Sequence, residues 1–304
     1  MKKNVLALSL ALALGLGLTA CSSSNSGSAS NSGSNTDTSG SQSSTSGSNT
    51  GAEKLVLGTS ADYPPFEFHV LQDGEDKIVG IDVFLAQQIA EDMGAELEIS
   101  DMDFDMLLNL MNKGDVDMVI AAMELKDDRA AAADYSDPYY TDEAPLIVVR
   151  KADLDQYKTL EDFSGKTVGA QTGTTKADIV LGTDPEKPHM TDVQDLLLPK
   201  VTDLIAQLQF EKCDAVVLDA AVAQKYVASN DELAIVESID LGEAAEPYRV
   251  WVAKGDPKGL LPSINETIAK VTAEGGAILE ENSPRFLFDS PQNPRTQAFL
   301  SKVL

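Results

Sequence analysis

Arg129 is the residue with the most chemistry to offer. It stands among small residues in the stretch 121–140, AAMELKDDRAAAADYSDPYY, where an apolar strand over 116–121 hands over to a helix start. A planar guanidinium matches the two oxygens of a carboxylate, so an arginine at such a junction suits bidentate capture of that group. An ordinary surface ion pair with Asp127, Asp128 or Asp134 is the competing reading. A second candidate is the turn Gln171-Thr172-Gly173-Thr174-Thr175, just before a helix over 176–181. A helix start exposes unpaired N–H groups and the positive end of the helix dipole, which suits an anion. A plain N-cap would use the same residues. Asp219 closes an apolar strand over 215–218, and open α/β sheets bind ligands at strand ends.

Other chemistries find little support. The two cysteines, Cys21 and Cys213, are far apart, and His69 and His189 have no Cys or His neighbour at metal-ligand spacing. No metal or cofactor is expected. Both histidines read as loop residues, and Cys213 as an inert free thiol. The formal charge of −26 over 304 residues disfavours nucleic acid and anionic membrane surfaces.

Positioning these residues requires strands and helices in alternation. Strands are expected over 54–59, 96–100, 116–121, 144–151, 166–170, 215–218 and 248–253. Helices are expected over 81–93, 106–112, 160–163, 176–181, 201–210 and 260–273. A hairpin turns at Gln72-Asp73-Gly74-Glu75. Ile81, Leu85, Ile89 and Met93 recur at four-residue steps, and Gly94 stops their helix. Asp137-Pro138 reads as a turn, and 185–199 as irregular. The β-α-β pattern gives parallel sheets. Residues 107–123 and 204–221 echo each other: helix, polar turn, aspartate, apolar strand, small residues. Two similar α/β lobes would produce that echo.

The N-terminus is a different kind of chain. Residues 1–20 form a secretory leader with Lys2, Lys3 and an apolar run. Leu18-Thr19-Ala20-Cys21 looks like a bacterial lipobox, with a plain transmembrane anchor or a leader with a chance cysteine as the alternatives. Residues 22–51 are nearly all Ser, Gly, Asn and Thr, a linker that cannot bury a core. At about 5–6 Å × √n, such a segment reaches on the order of 30 Å. The stretch 283–295, with three prolines, reads as an extended tail.

Six motifs in order carry a resemblance: TSADYPPFEF at 59–68, VGIDVFLAQQIAEDMG at 79–94, MDFDMLLNLMNKGDVDMVIAAM at 102–123, the 121–140 stretch, GKTVGAQTGTT at 165–175 and CDAVVLDAAVAQKYV at 213–227. From about 55 to 273 the chain resembles the amino-acid-type extracellular solute-binding proteins (family 3) of bacterial ABC importers, in lipoprotein form. The resemblance implies a two-lobed periplasmic-binding-protein fold of type II, each lobe a mostly parallel sheet flanked by helices, with a two-strand hinge. Lobe one would be 52–143 plus 248–304, and lobe two 144–247.

The same resemblance implies a site for a zwitterion. Arg129 and the N–H groups of Thr174 and Thr175 would hold the carboxylate. Asp219, with Glu124 and the Ala122 carbonyl, would hold the ammonium. Tyr63 and Phe104 would cover the ligand, and Ser60 and Gln171 complete the set. Tyr63 and Phe104 could equally be core and helix-staple residues. The family usually has threonine or serine at the position of Glu124. That carboxylate would tighten the ammonium clamp, favour a ligand with a second cation, or pair internally with Lys126 or Arg129. Phe84 stands where the family often has a second acid and reads as packing. Arg249 and Trp251 replace smaller residues. The implied protein is a monomeric, non-enzymatic binder, anchored outside the membrane through Cys21, that hands a polar or cationic amino acid to an ABC permease. A dehydratase-like enzyme on the same scaffold and a ligand-sensing adaptor for a membrane receptor are the other readings.

Overall fold

The computed structural model describes residues 53–184, 188–242 and 246–273. The leader, Cys21, the linker and the 283–295 tail lie outside the described residues. Strand β1 (Lys54–Thr59) leads into a small antiparallel sheet of β2 (Asp62–Tyr63), β3 (Glu67–Gln72) and β4 (Glu75–Val79). Gln72 pairs with Glu75 around the expected Asp73-Gly74 turn. His69 lies within β3 rather than in a loop, its Nδ1 2.9 Å from Asp76.

Helix α1 (Ile81–Met93) has the expected bounds, and Ile81, Leu85 and Ile89 are buried by their four-residue spacing. Met93, at the frayed end of that series, is exposed. Gly94 takes the left-handed conformation that ends a helix, its N–H returning to the carbonyls of Ala90 and Glu91. Gly80 enters the helix at φ 136°, where an added Cβ would lie 2.0 Å from the Phe66 carbonyl oxygen. Phe84 packs half-buried against the core, as read.

Next come β5 (Glu96–Asp101), a 3₁₀ turn at Phe104–Met106, α2 (Leu107–Lys113) and β6 (Met118–Val119). β6 is far shorter than the expected 116–121, although the Asp117 and Ile120 N–H groups on either side of it still donate to β1 at Val56 and Gly58, and Ala122 follows at φ 45°. Helix α3 (Asp127–Ala132) contains Arg129, and β7 (Ala133–Tyr140) follows at once. The Asp137-Pro138 pair is therefore strand, not turn. β7 is an edge strand whose pairing shifts register around Arg249, so the missing proline N–H breaks no regular ladder.

The chain then crosses to β8 (Leu146–Arg150), 3₁₀ segments Lys151–Gln156 and Leu160–Phe163, β9 (Thr167–Gln171) and α4 (Thr175–Leu181). β10 (Gln194–Leu198) occupies a stretch read as irregular. It is a polar-starting edge strand with the prolines outside it. After α5 (Val201–Gln209) and β11 (Ala215–Leu218) come two elements not anticipated, α6 (Ala220–Ala228) and β12 (Leu233–Ile235). β13 (Tyr248–Ala253) and α7 (Leu261–Ala273) complete the described chain.

The two large sheets share one plan. Sheet one runs β5-β1-β6-β13-β7 and sheet two β10-β9-β11-β8-β12. In each, three parallel strands in the order second, first, third are followed by a fourth that runs antiparallel to them and a fifth that pairs antiparallel with the fourth. The sequence echo maps onto this plan, since α2–β6 and α5–β11 deliver the third strand of each sheet. The aspartate of each echo does the same job. Asp117 accepts from the Val56 N–H at 2.8 Å, and Asp214 from the Thr167 N–H at 2.9 Å. Trp251 finds room on sheet one: it is fully buried, donates to the Met123 carbonyl at 3.3 Å and lies 5.3 Å from the Tyr135 ring. Arg249 donates to the Ser136 carbonyl and lies over the same tyrosine. Cys213 is buried, and burial pushes its thiol up to about 12.

Candidate functional site

One cavity is lined from both sheets. From the first come Tyr63 of β2, Phe104 of the 3₁₀ turn, Ala121, Ala122 and Glu124 after β6, and Arg129 of α3. From the second come Gln171 at the end of β9, Thr174 and Lys176 at the start of α4, and Asp219 after β11. Its polar groups sit where parallel strands end and helices begin, as open α/β sheets dictate.

Arg129 is 6% exposed. Its Nη1 donates to the Glu124 carbonyl at 2.7 Å and its Nη2 to the Gly173 carbonyl at 2.9 Å, joining the two halves. The guanidinium lies over the Phe104 ring, 5.4 Å from its centre. Burial lowers its pKa, while the charges of Glu124 and Asp128 oppose that. A guanidinium has five N–H donors, and these two bonds leave capacity to take a carboxylate. Phe104 thus faces a cation of the protein itself.

Asp219 is 1% exposed. It accepts from the Tyr63 hydroxyl at 2.6 Å, and burial together with the charge of Asp219 pushes that phenol well up. Nearby, burial and then Asp219 raise Asp142 to about 7. Asp142 caps α6 by accepting from the Ala221 N–H at 3.1 Å.

Ala122 is fixed by a buried acid pair. Asp82 accepts from the Ala122 N–H at 2.7 Å and from the Tyr139 hydroxyl at 2.8 Å. Burial raises Asp82 to about 6 even though those bonds pull it down. Burial, then the Asp82 charge, pushes Glu67 well above the carboxylate range.

Two sequence-derived candidates stand apart from the lining. Ser60 is buried and gives its hydroxyl to Asp62 at 3.3 Å. Thr175 turns its hydroxyl to the Glu124 carboxylate in a short hydrogen bond. Thr174 caps α4 by accepting from the Ala177 N–H at 3.2 Å, while its own N–H makes a long 3.4 Å bond to the Gln171 carbonyl. Gln171 donates to the Pro199 carbonyl at 2.9 Å.

The family model for bacterial extracellular solute-binding proteins, family 3, matches residues 55–277. The chain belongs to this family. It is 37% identical over 187 residues to the arginine-binding extracellular protein ArtP of Bacillus subtilis, covering 62% of this chain and 69% of that protein. It is 29% identical over 231 residues to the ABC transporter arginine-binding protein 1 of Escherichia coli, covering 74% and 88%. Among solved structures, an amino acid ABC transporter substrate-binding protein, AbpA of Streptococcus pneumoniae bound to L-arginine, matches with a TM-score of 0.68 at 30% identity. That match covers 82% of this chain and 93% of the other. The fold is the two-lobed type II periplasmic-binding-protein fold.

In this solute-binding protein the residue that sequence reasoning passed over is Lys176. Its Nζ lies 3.1 Å from Glu124 Oε2 and 2.8 Å from each Asp219 oxygen. The side chain is 4% exposed. Burial drags its pKa down, but Asp219 and then Glu124 outweigh it, so the ammonium stays charged and above its ordinary value. Glu124 therefore has an internal partner, but neither of those expected. Lys126 instead reaches Asp178 at 2.7 Å, and Arg129 uses only the Glu124 carbonyl. The signal for Lys176 was its place, one residue beyond the Gly173-Thr174-Thr175 turn, opposite an unusual glutamate.

Proposed function

We propose that this solute-binding protein captures a polar or cationic amino acid between its two lobes and delivers it, chemically unchanged, to an ABC permease. The observation that carries this reading is that Arg129 and Asp219, one from each half, line one cavity. A zwitterion needs a cation at one end and an anion at the other, and a site shared by two lobes makes both contacts only when they meet. Arg129 takes the ligand carboxylate, with the start of α4 beside it. Asp219 takes the ammonium, with the Ala122 carbonyl and Glu124 close by. Tyr63 and Phe104 form the walls. Relatives named for arginine support a basic side chain for the ligand.

Among the described residues we assign 53–143 and 248–273 to lobe one and those within 144–247 to lobe two. The protein stands outside the cytoplasmic membrane as a lipid-anchored monomer. Two acyl chains on Cys21 would hold it stably where one would not. Calorimetric titration with the common amino acids and ornithine tests the reading. Arginine, lysine, ornithine or histidine is expected to bind with one site per chain and to be recovered unaltered by mass spectrometry. Failure of every amino acid to bind, or conversion of the ligand, would sink it.

A further inference from the structure

A lysine buried this deeply needs a reason. Taking an ammonium out of water costs several kcal/mol unless counter-charges surround it. Lys176 meets that need with the same carboxylates that the proposed function gives to the ligand. Its Nζ touches both Asp219 oxygens at 2.8 Å, and the Tyr63 hydroxyl takes a further position on Oδ2 at 2.6 Å. A ligand ammonium and the Lys176 ammonium are chemically alike, so they compete for one carboxylate.

The charges in the cavity explain how both could be accommodated. Arg129 and Lys176 balance Glu124 and Asp219. A zwitterionic head group adds no net charge, so Lys176 need not leave the site. It needs only a second anion within reach. Glu124 Oε2, already 3.1 Å from Nζ, is that anion, and the Thr175 hydroxyl donates to the same oxygen. Lys176 and Thr175 belong to α4, whereas Glu124 follows β6, so this pair also spans the two halves.

We propose that Lys176 is a built-in competitor for the ammonium subsite, and that Glu124 is the partner to which it withdraws when a ligand takes Asp219. The proposal rests on the amino-acid reading and adds a determinant of affinity to it. Lys176 keeps Asp219 compensated until a ligand arrives. The ligand must outbid it, which weakens binding and favours ligands with strong contacts elsewhere.

The test is a double-mutant cycle read by calorimetry. Methionine matches the lysine stem without its charge. Lys176→Met is expected to tighten binding of the best amino-acid ligand at least tenfold. Glu124→Gln strands Lys176 on Asp219 and is expected to weaken binding at least fivefold. The same glutamine substitution in the Lys176→Met background is expected to have a clearly smaller effect, because the withdrawing group is gone. Where Lys176→Met leaves the two carboxylates too poorly compensated to fold well, thermal unfolding supplies the second measurement. There the ligand ammonium replaces the missing lysine, so saturating ligand should raise the melting temperature of the variant more than that of the wild type. Binding by both proteins with Lys176→Met equal to or weaker than wild type, together with an equal or smaller ligand-induced shift, overturns the proposal alone. Absence of amino-acid binding by both overturns the parent reading and this proposal with it.

Discussion

Three neighbours hold Arg129: the carbonyl of Glu124, the carbonyl of Gly173 and the face of Phe104. Two of those contacts need a planar fork, which an ammonium lacks. Arg129→Lys would keep the charge, lose the bridge between carbonyls and present a point charge to the ligand carboxylate. A bidentate charge-assisted contact is worth several kcal/mol when buried, and we expect amino-acid affinity to fall about 100-fold, or roughly 2.7 kcal/mol. Calorimetry within threefold of wild type would remove Arg129 from the binding role. Arg129 and Asp219 could be picked out from sequence because each stands where an apolar strand hands over to small residues. Lys176 could not, because a lysine on the first turn of a helix can point to solvent as easily as inward. What turns it inward is a pair of carboxylates brought together from residues 124 and 219, a contact that no local pattern encodes. Ser60, also a candidate from sequence, stands apart from the cavity lining. Its place in the loop was right, but Asp62 two residues on claims its hydroxyl.

The repeated unit of helix, polar turn, aspartate and strand builds the third strand of both sheets. In each copy the aspartate exchanges two bonds with the first strand. Asp117 N–H donates to the Val56 carbonyl at 2.9 Å while its carboxylate takes the Val56 N–H, and Asp214 repeats this with Thr167 at 2.8 Å. A hydrogen bond to a charged group contributes about 1.5–3 kcal/mol. Asp117→Ala and Asp214→Ala should therefore each destabilise by about that amount, seen as a lower urea midpoint with unchanged slope. A change below about 0.5 kcal/mol, the scale of an ordinary surface substitution, would deny them this role. Elements with strong internal periodicity, such as α1, were legible in the sequence to the residue. β6 and β12 were not, since strands of two and three residues carry no period. β10 was hidden between prolines, and β7 was mistaken because Asp-Pro normally turns a chain. Only its place at the edge of sheet one, known after the sheet is assembled, makes proline acceptable there.

At the scale of the molecule, contacts outside the cavity also join the two halves. Asp62, in β2, caps α5 of the other half, accepting from the Val201 N–H and from the Thr202 N–H at 3.3 Å. Tyr226 of α6 donates to the Asp62 carbonyl at 2.9 Å, and Lys200 reaches Asp101 at 3.2 Å. These groups touch no ligand in the proposed site, yet they favour the arrangement in which Arg129 and Asp219 share a cavity. Any free energy they add to that arrangement appears in the binding constant, because a ligand that needs both half-sites binds only the joined form. The exposed ion pair contributes little. The buried cap contributes more, about 1 kcal/mol for a typical N-cap. Asp62→Ala should thus weaken ligand binding about fivefold, the equivalent of that cap, with every cavity residue intact. The loss should appear as faster release, and the radius of gyration at half-saturation should exceed that of the wild type by small-angle scattering. An affinity within about twofold of wild type would mean that the joined form is held by the cavity alone. The cap on α5 would then serve only the stability of its own helix, which urea unfolding of the same variant would register separately.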